Sequence, residues 1–390
     1  MKQRILLIAL LSLFSTFIFG QELLLKSIEK NNNEIQRLKY EIEAQKLELK
    51  STNTLPDPKF SYDHLWDSKN TENTVSEMGI SQEFDFPTRY LSRKKYNRIK
   101  SDAIDALYLT KRQELLLQAK ELYFDIIKLK QKQQLLSKRY EQANQVEKAY
   151  EKRLSMGDAN ILEIKKIKLE QLNIKTEHTL NKTELATKIK ELEGINGNEP
   201  LPALSFTYPP IQELTPLDVI LNEALVQSQA IQAMKAEQEA LNQELRVQKE
   251  GWLPKLELGY RRNTELGNPF NGFSVGFSIP IFENRKKVTK TKALLHAQRY
   301  TTSNTILTES IKLKQAYNFA SELLSTLNEY TFLMKDNSNY TLLKEALDAG
   351  EISIIAYFLE ISTIYQAESA YIDLENEYQK AIAKLYKHQL

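Results

Sequence analysis

The chain contains no cysteine. That excludes disulfides, thiolate metal sites and a lipidated cysteine anchor. Glycine and proline are scarce, 11 of each in 390 residues, so the chain has few places to turn. Beyond the N-terminus there is no apolar run long enough to cross a bilayer as a helix, which takes about 20 residues. Charge of one sign is missing too. Lysine and arginine total 53 against 51 acids, and Lys2 and Arg4 account for the difference, because no acid precedes Glu22. A balanced chain of this kind gives no support for nucleic-acid binding. The four histidines, His64, His178, His296 and His388, are scattered with no partner at triad or metal-ligand spacing. No glycine-rich phosphate loop is present. No enzyme activity and no cofactor are expected.

The N-terminus, MKQRILLIALLSLFSTFIFGQ, has a basic start, an apolar stretch from Ile5 to Phe19 and then Gly20. This is the layout of a secretory signal over residues 1–20, with cleavage expected before Gln21. An exported chain without spanning helices can cross a membrane only with strands.

The few glycines and prolines fall in a pattern. Neither occurs from Thr88 to Met156, nor from Ile281 to Ala349, two runs of 69 residues each. Both runs follow a proline (Pro87, Pro280) and end before a glycine (Gly157, Gly350), with an offset of 193 at each end. The chain therefore reads as a duplication with repeats 21–200 and 201–390. In the first repeat a helix at 22–55 precedes a β-hairpin at 58–86, a long helix at 88–156 and a helix at 158–193. The second has a helix at 217–250, a hairpin at 254–282, a long helix at 283–349 and a helix at 351–390. Two short helices end to end match one long helix, giving a column of about 100 Å at 1.5 Å per residue. Leu115, Leu122, Leu129, Leu136, Ala143 and Tyr150 fall seven apart, and Ala119, Ile126, Tyr140 and Leu154 fill further seam positions, as coiled-coil packing requires. The linker 195–216 is expected to wrap the outside of the column.

The hairpins alternate apolar and polar residues with period two. Phe60 and Tyr62 share one face of the first strand, and Met78, Ile80 and Phe84 one face of the second. Leu256, Leu258 and Tyr260 do so in the third, and Phe273, Val275, Phe277 and Ile279 in the fourth. Opposite lie small or polar residues such as Gly79, Ser81, Ser274 and Gly276. These apolar faces are expected to touch lipid, since strands of about 9–11 residues suit a tilted membrane crossing. Four strands cannot close a barrel, and open edges cannot sit in lipid. Several chains must share one barrel, and a homotrimer would give twelve strands.

This order, with the glycine-turn phrases "RLSMGDANILEIKKIKLEQL" and "ALDAGEISIIAYFLEISTIYQAESAYIDLENEYQKA" and the strand entries "LPDPKFSY" and "WLPKLELGY", resembles the TolC-like outer membrane efflux proteins. "SEMGISQEFDFPTRYLSRKK" and "SIPIFENRKK" are most similar to the cobalt–zinc–cadmium and copper efflux branch. The resemblance implies a mainly α fold with a small β part, an α-helical barrel in the periplasm below a twelve-stranded barrel in the outer membrane. It implies a passive homotrimeric channel that works with a periplasmic adaptor and an inner-membrane RND pump, exporting heavy-metal cations. Drug or multidrug efflux and type I secretion are the alternatives, followed by a periplasmic coiled-coil scaffold without a pore. By the same resemblance Met156, Gly157, Ala349 and Gly350 would meet the adaptor. Family members often carry aspartates beyond the second glycine, where this chain has Ala356 and Leu359; Asp158, Glu163, Glu351 and Glu360 are the substitute candidates for an acidic gate.

Overall fold

The computed structural model describes residues 21–69, 74–211, 213–265, 267–281, 285–334 and 339–390. The expected signal segment 1–20 lies outside them. In chain order the elements are α1 (21–31), α2 (Asn33–Ser51), β1 (Lys59–Trp66), β2 (Thr74–Phe84), α3 (Pro87–Met156) and α4 (Ile161–Ile195). Then follow α5 (Leu217–Gln227), α6 (Gln229–Glu250), β3 (Lys255–Glu265), β4 (Asn268–Ser278), α7 (Arg285–Leu333), α8 (Asn339–Asp348) and α9 (Ile354–Leu385), with a 3-10 turn at Lys387–Gln389. The chain is mostly helical with a small antiparallel sheet.

The chain divides into two compact units, and neither is one of the two sequence repeats. A helical unit holds the described residues up to Gln36, Lys111–Val226 and Glu309–Leu390. A sheet-bearing unit holds Arg37–Thr110 and Gln227–Thr308.

The 69-residue run after Pro87 folds as one helix, α3, in which Pro87 takes the first position, where its missing N–H costs nothing. In the corresponding run after Pro280 the described residues form α7 and α8, and residues 335–338 between them lie outside the described residues. The helices expected at 22–55 and 217–250 are each broken once. The Asn32 side chain accepts the Ile35 N–H at 2.9 Å to start α2, and Ser228 caps α6 through the Ile231 N–H. A side-chain cap at that point satisfies a donor the helix would otherwise leave open.

In the helical unit the seam of α3 is buried at Ala119, Leu122, Ile126, Leu129, Ala143 and Tyr150, while Leu115, Leu136 and Leu154 are half-buried and Tyr140 is exposed. Between Leu116 and Leu129 the helix is enclosed on several sides. Leu24 and Ile28 of α1, Leu185 and Leu192 of α4, and Tyr208 of the linker close over Phe124, Ile126 and Ile127. The linker is fastened there by polar contacts. Tyr208 Oη lies 3.1 Å from the Phe124 carbonyl and 3.0 Å from Asn376 Oδ1, Tyr123 donates to the Ser205 carbonyl, and Gln379 Nε2 donates to the Pro209 carbonyl at 2.8 Å. Burial pushes the Tyr123 phenol up to about 12.

In the sheet-bearing unit the strands form one antiparallel sheet in the order β1-β2-β3-β4. The central pairing, β2 with β3, joins one strand from each sequence repeat, from Val75↔Glu265 to Phe84↔Leu256. β1 and β4 are the edges. Two strand limits differ from the sequence reading. β2 stops at Phe84, because Asp85 leaves the ladder to receive Arg89 at 2.7 Å and Arg93 at 2.5 Å. β4 occupies Asn268–Ser278 and ends short of 282, the expected end of the hairpin. The hairpin closes at Glu265↔Asn268. Pro280, which has no N–H to donate, lies just beyond its end. Ile279, expected as a strand residue, therefore lies past the last ladder pair, Lys255↔Ser278.

Candidate functional site

Two regions carry the residues singled out from the sequence. The first is the pair of glycine turns in the helical unit. Gly157 and Gly350 have φ of +85° and +75°, a left-handed conformation that costs a residue with a Cβ. Both turns close with the same pair of bonds. Gly157 N–H donates to the Leu154 carbonyl and Asp158 N–H to that of Arg153; Gly350 N–H donates to Leu347 and Glu351 N–H to Ala346. These bonds satisfy carbonyls that a helix end leaves open.

The chain then re-enters a helix through a side-chain cap. Asn160 Oδ1 accepts the Leu162 and Glu163 N–H groups at 2.8 and 3.1 Å, and Glu163 Oε2 accepts the Asn160 N–H at 2.9 Å. This reciprocal box was legible as N-x-x-E, although Asn160 was not among the expected site residues. After the second glycine, Ser353 Oγ accepts the Ala356 N–H at 3.2 Å. The caps explain why α4 and α9 begin three residues later than expected.

The two turns are held together. Val146, Tyr150, Ile164, Ile167, Leu347, Ile354, Tyr357, Ile361 and Tyr365 form one buried cluster from α3, α4, α8 and α9. Arg153 Nη2 donates across it to the Asp348 carbonyl at 3.3 Å. Burial, with Asp348 nearby, pushes the Tyr357 phenol up to about 12. Outside the cluster Met156, Gly157, Ala349 and Gly350 are exposed. The four carboxylates separate into two kinds. Glu163 is half-buried and occupied by its box. Asp158, Glu351 and Glu360 are exposed and form no ion pair among the described residues. The sequence reading missed the apolar residues exposed beside them, Ile161, Leu162, Ile355 and Leu359. Burial on one face only, read at period 3.6, would have pointed to them.

The second region is the sheet. Cross-strand register brings the apolar residues into rows. Phe60, Ile80, Tyr260 and Phe273 form one row across all four strands, and Phe84, Leu256 and Phe277 another. Leu258 pairs with Val275, and Tyr62 with Met78. Phe273 is 90% exposed, Val275 75% and Phe277 71%; Phe84 alone of the set is half-buried. The band slants. On β1 it runs up to Trp66, whereas on β4 it starts at Phe273 and continues down to Phe277, at the level of Phe84. A slanted band is what strands tilted against a flat apolar layer require. The other face carries Lys255–Glu83 at 2.8 Å and Arg261–Glu77 at 3.2 Å and is polar apart from residues such as the exposed Leu65 and Phe270 toward the hairpin ends. These ion pairs went unnoticed in the sequence, where acids and bases share the parity of the small residues.

Among the described residues no helix is long and apolar enough to cross a membrane, and no three potential metal ligands come together. Residues 220–388 match the family model described as outer membrane efflux protein. Several solved structures share the fold. A membrane protein from Pseudomonas aeruginosa is 15% identical with a TM-score of 0.78, over 95% of this chain and 93% of that one. CusC, described in terms of transmembrane channel formation, is 15% identical with a TM-score of 0.78, over 95% and 91%. The CmeC outer membrane channel of Campylobacter jejuni is 17% identical with a TM-score of 0.75, over 95% and 85%. No match was found among curated proteins. Over residues 220–388 this chain matches the outer membrane efflux protein family model, and along nearly its whole length it shares the fold of these structures.

Proposed function

We propose that three copies of this chain build a passive conduit that carries substrate from the periplasm across the outer membrane. The observation that carries the reading is the four-strand sheet with an exposed, slanted apolar face and two unpaired edges. Lipid covers such a face, and β1 of one copy beside β4 of the next closes the edges. Twelve strands leave a lumen lined by the polar face. The glycine turns form the periplasmic entrance, where Met156, Gly157, Ala349 and Gly350 meet an adaptor that links the channel to an RND pump. Asp158, Glu351 and Glu360, repeated three times, form acidic rings that favour cations. Glu163 acts as a cap and not as part of the gate.

The cargo is a heavy-metal cation, a reading supported by the phrases Ser76–Lys95 and Ser278–Lys287. The test is cell-associated metal in a strain lacking this protein, after zinc, cobalt, cadmium or copper challenge, against its parent. Accumulation of one cation, reversed by the restored gene, is expected. Unchanged metal with new sensitivity to dyes or antibiotics would move the cargo to drugs and leave the conduit in place. A protein recovered as a soluble monomer without detergent would overturn the conduit itself.

A further inference from the structure

The charge of this chain is balanced overall but not locally. From Pro87 to Ser101 there are six basic residues and no acid, and from Arg285 to Thr308 again six and none. Both stretches lie in the sheet-bearing unit, and each opens the helix that follows a strand, α3 after β2 and α7 after β4. Cations are poorly placed at the start of a helix, whose N-terminus carries partial positive charge, and neither helix has an acid in its first turn.

Part of the α3 charge is neutralised within the chain. Asp85 holds Arg89 and Arg93, and Lys100 reaches Glu237 at 2.6 Å. The remainder is not. Lys94, Lys95 and Arg98, with Arg285, Lys286 and Lys287, are exposed, and their side chains form no ion pair or hydrogen bond among the described residues. On α3 the charges share one helical face with Leu91, which is 69% exposed, at the spacing i, i+3, i+4, i+7. Turned away from them, Ser92 is buried and donates to Glu250 at 2.8 Å. On the α7 side the exposed Ile279 and Ile281 precede the charges. In each repeat, then, the order along the chain is an apolar strand face, exposed aliphatic side chains, and exposed cations with no ion pair among the described residues.

We infer that these two clusters form a basic collar that binds the phosphates of anionic phospholipid headgroups, in the leaflet where the helices leave the membrane. The inference rests on the membrane-spanning reading of the sheet. The charges are spread along two helix faces and do not converge on a cradle. A surface of that kind suits a layer of headgroups and not one small anion. A basic segment at an anionic bilayer gains attraction from each charge, weakened by salt. With no cysteine to carry a lipid, the collar would act with the apolar band to fix the depth of the sheet.

The experiment uses the full chain, purified in detergent and offered phosphatidylglycerol and phosphatidylcholine in equal amounts, with retained lipid read by native mass spectrometry. The native protein is expected to retain the anionic lipid in roughly tenfold preference at low salt and near parity at high salt. Lys94→Gln, Lys95→Gln, Lys286→Gln and Lys287→Gln together should abolish most of the preference while the oligomer still shows heat-modifiable migration. Changing Lys165, Lys166, Lys175 and Lys182 to Gln removes the same charge from exposed positions on α4 and should leave it intact. If the quadruple collar variant does not assemble, the Lys286→Gln, Lys287→Gln pair and the native salt dependence decide. Equal retention of both lipids overturns the inference, as does an equal loss in the α4 variant. Displacement of the lipid by millimolar inorganic phosphate also overturns it, as the mark of a small-anion site. A native protein that stays soluble without detergent defeats the membrane reading and the collar with it. One that inserts but shows no preference defeats the collar alone.

Discussion

The helical unit and the sheet are built inside out with respect to each other. Around Tyr208 the large apolar side chains point inward, and Phe124, Ile126 and Ile127 are each 1% exposed or less. On the sheet one face leaves them exposed, with Phe273 90% exposed, while the opposite face carries glycine, serine and ion pairs. Removing one such side chain from water is worth about 1.5–3 kcal/mol, and a full row left exposed in an aqueous setting forgoes that gain several times over. The difference teaches what the proposed conduit demands, one chain that answers to two solvents, with helices folded against water and strands against hydrocarbon.

Substitutions can break that comparison from either side. The largest effect is expected for Phe124→Ala, a cavity in a closed core, at about 3–5 kcal/mol of stability by denaturant unfolding. Val275→Arg would be mild on a water-facing strand but should cost about 2–4 kcal/mol in folding into lipid vesicles. An unchanged folding yield would place that face in water. Tyr208→Phe removes the hydroxyl between the Phe124 carbonyl and Asn376, at about 1–3 kcal/mol, and should expose the linker to protease first. Among titrating groups, Tyr123 and Tyr357 hold their protons to about 12 in the folded state. The unfolded chain releases them near 10, so the stability they represent is intact below about pH 10 and falls as pH rises toward 12. Alkaline unfolding followed by tyrosinate absorbance checks this. The smallest effect separates two kinds of carboxylate at the turns. Glu163→Ala should cost about 0.5–1 kcal/mol through its box and leave permeation unchanged. Asp158→Asn with Glu351→Gln should leave stability unchanged and lower cation over anion permeability in a planar bilayer.

Much of this was legible because each signal is local. Alternation with period two puts Phe273, Val275 and Phe277 on one face of their strand whatever their neighbours. A glycine between two long helical runs marks a left-handed turn, as at Gly157 and Gly350. The errors have equally local causes that compete with periodicity. Asn32 and Ser228 cap helices that the pattern alone would continue. Asp85 leaves the ladder for two arginines, and the strand before Pro280 ends early. At the candidate gate the sequence named four carboxylates alike, and only the bond between Glu163 and the Asn160 N–H set one apart.

By itself the sequence determined the elements and their sidedness, because hydrophobic period, capping residues and glycine placement act within a few residues of one another. It also carried the duplication, which is a property of chain order. Which segments form a compact unit was decided only by tertiary structure. The repeats divide the chain once, near residue 200, but the two compact units each draw on both repeats, and the central strand pair joins β2 of one to β3 of the other. Pairing and packing depend on which surfaces meet in space, and segments distant in sequence meet there only when the whole chain has folded.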